Sequence, residues 1–187
     1  MNNKKKKEQR KVEVDEKSPD FQKIFLGVRL ENTLFPDNGM NYIAYTDGSC
    51  DNLNRFKVGG SGYVILKDGD IIKVKNKGFL HTTNNRMELL AIISVCNALP
   101  DGAFVDIFSD SQYSISFLVS SRGKKNRDLL DLYHKCASHL GGVRFHWVKG
   151  HDGDKYNEMA DDLAFSAYRE MCEEYNIPIG WRMKKTH

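Results

Sequence analysis

Tyr42-Ile43-Ala44-Tyr45-Thr46-Asp47 is a short, mostly apolar run that ends on an acid. Such a run suits a central strand buried on both faces. Downstream, Ser61–Leu66 and Ile71–Phe79 read as two further strands joined at Lys67-Asp68-Gly69-Asp70, where Asp-Gly is a hairpin signal. Asn84–Leu99 reads as a helix opened by an Asn cap and closed by Pro100. Ala103–Phe108 is a strand, Ser111–Val119 a helix and Arg122–Arg127 a basic loop. Asp128–Leu140 is a helix ended by Gly141-Gly142, Val143–Val148 a strand, and Lys155–Glu174 a long helix. The order βββαβααβα predicts an α/β domain: a five-stranded mixed sheet with an antiparallel hairpin and helices on both faces.

The chain has 187 residues, enough for one core without disulfide or metal staples. Its formal net charge is +3, yet residues 1–11 alone carry +5, so the remainder is at −2. Residues 1–20 read as a disordered basic tail and 21–40 as an extension of unassigned role, with Pro19, Phe21, Ile24, Phe25 and Val28 at helical spacing. Pro36-Asp37-Asn38-Gly39 closes that extension. The main domain is expected over 41–175, with 176–187 a C-terminal tail. Cys50, Cys96, Cys136 and Cys172 are far apart and form no C-x-x-C pair, which points to a reducing compartment. The Lys run is followed by charge rather than an apolar stretch, and no apolar run is long enough to span a bilayer. The expectation is a soluble, cytoplasmic monomer with no membrane contact and no obligate protein partner.

The acids sit in costly places. Asp47 ends the first strand and Asp110 lies just past Ala103–Phe108. Ligand sites in open α/β sheets lie beyond the carboxyl ends of strands. Either residue alone also reads as a turn former. Glu88 lies in Met87-Glu88-Leu89-Leu90-Ala91-Ile92-Ile93, a helix apolar nearly all round. A carboxylate on a buried helix is costly unless paired or bound to metal; its other reading is a charge favoured near a helix N-terminus. Asp161 borders the apolar stripe Tyr156, Ala160, Leu163, Ala164 and Ala167, or faces solvent. His151, flanked by Gly150 and Gly153, is an exposed loop residue or a mobile proton carrier. Carboxylates converging at strand ends suit metal-assisted phosphoryl hydrolysis, with two Mg²⁺ roughly 4 Å apart. No Cys/His cluster has zinc spacing.

Four segments together resemble type 1 ribonuclease H. They are Tyr45-Thr46-Asp47-Gly48-Ser49-Cys50, Thr82-Thr83-Asn84-Asn85-Arg86-Met87-Glu88-Leu89, Ser109-Asp110-Ser111-Gln112-Tyr113, and Trp147-Val148-Lys149-Gly150-His151 with Asn157-Glu158 and Asp161. The resemblance covers about residues 41–170. It implies a ribonuclease H-like fold and an endonuclease that cleaves the RNA strand of RNA–DNA hybrids with Mg²⁺ or Mn²⁺, leaving 5′-phosphate and 3′-hydroxyl ends. By motif it implies that Asp47, Glu88, Asp110 and Asp161 hold metal. Asp161 is preferred to Asp162 because it fits Asn-Glu-x-x-Asp. It also implies that His151 aids proton transfer or product departure, and that Cys50, Thr83, Asn84, Asn85, Gln112, Lys125, Asn126 and Asn157 contact substrate.

The physics of hybrid recognition agrees. Only RNA offers 2′-hydroxyls, which line a wide, shallow minor groove in A-like helices. Side-chain amides both donate and accept there. Arg122, Lys124, Lys125 and Arg127 would face phosphates, or form a solvated basic turn. Three departures stand out. Ser116–Lys125 is short and lacks the Trp-bearing basic insert of some relatives. Asp51–Phe56 replaces a Gly-Asn-Pro-Gly stretch, and residues 1–40 lack an aromatic-rich hybrid-binding module. A non-catalytic hybrid binder, or a nuclease for double-stranded RNA or single strands, are the alternative readings.

Overall fold

The computed structural model describes residues 35–180. The basic tail and the helical spacing expected at 19–28 lie outside the described residues. The strands are β1 (Asn41–Cys50), β2 (Gly59–Lys67), β3 (Asp70–Phe79), β4 (Phe104–Ser109) and β5 (Gly142–Trp147). The helices are α1 (Asn84–Ala98), α2 (Gln112–Ser120), α3 (Arg127–Ala137) and α4 (Lys155–Glu174). The sheet order is β3-β2-β1-β4-β5. β1–β2 and β2–β3 are antiparallel, and β1–β4 and β4–β5 are parallel. This is the expected five-stranded mixed sheet, with Asp68 and Gly69 turning the hairpin at positive φ.

Some boundaries move for physical reasons. β1 continues through Gly48-Ser49-Cys50 because β2 keeps pairing with it, Cys50 opposite Gly59. The cap of α1 is Thr83, not Asn84: its backbone is extended and its hydroxyl accepts from Arg86 N–H at 3.4 Å. Gly141-Gly142 does not end the third helix, which stops at Ala137. Gly142 opens β5, and a Cβ on Gly141 would lie 2.6 Å from the Phe104 ring, so the pair answers to packing.

The larger core lies between the sheet and α1, α2 and α3, built from Ala44, Ile65, Leu89, Ile92, Val105, Ile107, Ile115 and Leu130. On the opposite face α4 lies directly on β2. A Cβ on Gly62 would come within 2.6 Å of Ala160 O and Ala164 N, and one on Gly60 would collide with Ala164 O. Glycine on the sheet and alanine on the helix therefore set a close approach. Ile177 is buried beside Val58, Tyr168 and Cys172, and Gly180 N–H donates to Tyr168 Oη at 3.0 Å. Among the described residues no helix is long and apolar enough to cross a membrane.

Candidate active site

Parallel pairing of β1 with β4 sets Thr46 opposite Ser109, so Asp47, still within β1, and Asp110, just past β4, lie side by side at the carboxyl end of β4. α1 delivers Glu88 to that end because Gly48 admits it: any side chain at 48 would collide with the Met87–Glu88 backbone. The carboxylates of Asp47, Glu88 and Asp110 offer ligand oxygens that all lie within 4.8 Å of one another. Asp47 is 8% exposed and Glu88 5%. Gly48 N–H donates to Asp47 Oδ1 at 2.7 Å, and Asn84 Nδ2 donates to Glu88 Oε1 at 3.4 Å. Glu88 Oε2 is buried with no hydrogen-bond partner among the described residues. Trp147 Nε1 donates to Asp110 O at 3.0 Å, tying β5 to the site.

α4 brings Asp161 to the cluster. Asp154 caps this helix, accepting from Tyr156 N–H at 3.0 Å and Asn157 N–H at 3.1 Å. Burial, then the charges of Asp110 and Asp161, pushes the Asp47 carboxyl well above the usual range. Burial, then Asp47 and Asp110, does the same to Glu88. Asp110 is raised mainly by burial, with Asp161 adding to it. Like charges this close favour uptake of a proton or a cation. An all-oxygen donor set with an orphaned buried oxygen fits a hard divalent ion. His151 sits above the cluster at positive φ, its side chain 81% exposed and its Nδ1 3.9 Å from Asp161 Oδ2.

The other expected site residues divide by burial. Thr83, Asn85 and Gln112 are exposed, and Asn84 is half-buried against Glu88. Lys125 is exposed with Arg122, Lys124 and Gln112 around a groove of about 540 Å³. Cys50 and Asn157 are buried, and Asn157 Oδ1 has no partner among the described residues. Burial pushes the Cys50 thiol up to about 11. Asn126 is half-buried, and its side chain is held by Arg86 and Tyr113. Sequence reasoning passed over Arg86 and Asp128, whose guanidinium–carboxylate pair at 2.6 Å crosses from α1 to α3. Their types suit such a pair, but 41 intervening residues hide the contact.

The sequence model of the RNase H family matches residues 39–169. The ribonuclease H of Rhodopseudomonas palustris strain TIE-1 is 40% identical over 136 residues, covering 65% of this chain and 85% of that protein. The ribonuclease H of Marinobacter nauticus is 37% identical over 145 residues, covering 69% of this chain and 95% of that protein. The carboxylate cluster lies inside the matched region, and the chain belongs to the ribonuclease H family of nucleases.

Proposed function

We propose that the chain is an endonuclease that hydrolyses the RNA strand of RNA–DNA hybrids, leaving 5′-phosphate and 3′-hydroxyl ends. The observation that carries this is the packing of ligand oxygens of Asp47, Glu88 and Asp110 within 4.8 Å of one another, with one Glu88 oxygen buried and without a hydrogen-bond partner among the described residues. So concentrated an acidic site would repel a phosphodiester unless cations intervene. Asp47, Glu88, Asp110 and Asp161 would hold two divalent ions, Mg²⁺ or Mn²⁺. When bound, such ions supply a water activated at neutral pH and charge stabilisation at the leaving oxygen.

The chain's own groups supply the rest. Thr83, Asn84, Asn85 and Gln112 line the approach and exchange hydrogen bonds with 2′-hydroxyls and sugar edges of the minor groove. Cys50 contributes through its backbone, since its side chain is buried. Lys125 and Asn126 meet phosphates, and Asn157 lies buried near the start of α4, the helix that carries Asp161. His151, exposed and beside Asp161, carries a proton to the departing 3′-oxygen.

The test is cleavage of an end-labelled RNA–DNA hybrid with Mg²⁺, Mn²⁺ or EDTA, beside RNA–RNA and DNA–DNA duplexes. Metal-dependent cuts in the hybrid alone are expected. Binding without cleavage would overturn the enzymatic reading, and equal cutting of RNA–RNA would overturn the substrate.

A further inference from the structure

Arg86, Tyr113, Asn126 and Asp128 form a junction where α1, α2 and α3 begin. Arg86 lies in the first turn of α1, two residues before Glu88. Its Nη1 donates to Asp128 Oδ1 at 3.0 Å and its Nη2 to Asp128 Oδ2 at 2.6 Å, a two-point pair. The same Nη1 donates to Asn126 Oδ1 at 3.3 Å. Asn126 Nδ2 donates to Tyr113 Oη at 2.9 Å. Asn126 occupies the cap position of α3, yet its side chain makes no cap hydrogen bond. A left-handed backbone, φ 58°, turns the side chain into the junction instead.

The partners' chemistry dictates which way this amide faces. A guanidinium carries donors only, so the amide oxygen must point at Arg86. The NH₂ then points the other way. Tyr113 accepts one of its two N–H groups, which leaves the second for an outside acceptor, and exposed Lys124 and Lys125 directly precede Asn126 in the chain. We infer that Arg86, held by Asp128, is a positioning residue that locks the Asn126 amide with N–H, not C=O, toward a phosphate of the bound hybrid. The inference rests on the hybrid-binding function proposed above. Release of Arg86 lets the amide turn over, and a carbonyl oxygen then meets the phosphate.

Charge alone predicts the opposite effect for one substitution, which makes the inference testable. Asp128→Asn removes a negative charge close to the nucleic acid, so simple electrostatics predicts tighter binding. The lock predicts weaker binding. Hybrid affinity of the full chain is measured without divalent ions, across a range of KCl, for wild type, Asp128→Asn, Arg86→Ala, Asn126→Ala and the Arg86→Ala/Asn126→Ala pair. Asp128→Asn is expected to weaken binding about fivefold to tenfold, the scale of one charge-assisted contact. Asn126→Ala is expected to weaken binding by a similar factor while leaving the slope of log K against log[salt] unchanged, because a neutral amide displaces no counterion. Arg86→Ala on top of Asn126→Ala is expected to weaken binding no further. With metal, KM is expected to rise while kcat stays within about twofold, and Asp128→Asn, more than half exposed, keeps its thermal midpoint. Unchanged or tighter binding by Asp128→Asn overturns the lock. Wild-type affinity in Asn126→Ala overturns the phosphate contact beneath it, and failure of wild type to bind the hybrid overturns the proposed function itself.

Discussion

Asp47 and Glu88 are both nearly buried, and their carboxylate oxygens lie within 4.8 Å of each other. The folded chain therefore stores repulsion at its centre. An ordinary glutamate loses its proton near pH ~4.3; burial and the Asp47 charge hold the Glu88 proton to higher pH. In that window the folded state binds more protons than the unfolded one, so this group's stability contribution falls as pH rises through it. Glu88→Gln removes the repulsion. In EDTA at pH 8 the variant is expected to melt roughly 2–4 °C above wild type, the shift that about 1 kcal/mol produces in a chain this size. At pH 4 the difference is expected to vanish. Added Mg²⁺ should raise the wild-type midpoint more than the variant's. Equal midpoints at pH 8 would mean that the cluster holds no such strain.

His151 and Asp161 form a different pair, one exposed and one mostly covered, 3.9 Å apart. His151→Ala is expected to leave the thermal midpoint unchanged, because the side chain is mostly exposed. Turnover on the hybrid is expected to fall about a hundredfold without disappearing, as for removal of a general acid. Single-turnover and steady-state rates separate the two roles. Loss in both points to the proton, and loss only at steady state points to product departure. Wild-type rates across pH would remove His151 from the reaction.

Much of this was legible because each acid broke a local rule. Glu88 stood out as a charge on a helix apolar all round, and Asp47 as the end of a buried strand. Both signals come from burial, which periodicity reports. Contacts made by register or by tertiary approach were not legible. Asp106 meets Arg144 only because β4 and β5 pair in parallel with those residues opposite. Arg86 meets Asp128 only once α1 and α3 have packed. Thr83, Asn84 and Asn85 are all good caps, so composition could not choose Thr83; backbone geometry did. Gly141-Gly142 had the composition of a helix stop, and the need to clear Phe104 accounts for it.

Arg144 donates to Asp106 from Nε and Nη2, both at 2.7 Å, and His146 Nε2 lies 2.6 Å from the same carboxylate. Burial alone would raise the Asp106 carboxyl, but these partners outweigh it and hold it below the usual range. The group therefore stabilises the fold above pH ~4, where the unfolded carboxyl is also charged. That stabilisation is lost as pH falls through the depressed value. Asp106→Asn is expected to cost roughly 2 kcal/mol at pH 7, in line with hydrogen bonds to charged groups. Urea melts of wild type and variant should converge only below pH 4. A gap that stays constant down to pH 3 would assign the cost to packing rather than charge.

Gly62 tests whether the approach of α4 to the sheet matters to the chemistry. One of its Cα hydrogens faces Ala160 O and Ala164 N, each 2.6 Å from where a methyl carbon would sit. Neither atom can yield without moving the helix, since both belong to its backbone. Asp161 follows Ala160 directly, so displacement of α4 moves that carboxylate away from Asp47 and Asp110. Gly62→Ala is expected to lose about 1–3 kcal/mol, as overpacking does, and to lose activity beyond what the unfolded fraction explains. The comparison is Ser61→Ala, one residue away on the opposite face of β2, where only a 3.4 Å hydrogen bond to Lys77 O is removed. Ser61→Ala is expected to keep its metal-dependent rate. If Gly62→Ala melts lower yet cleaves at the wild-type rate, the position of α4 does not set the geometry of the acidic cluster.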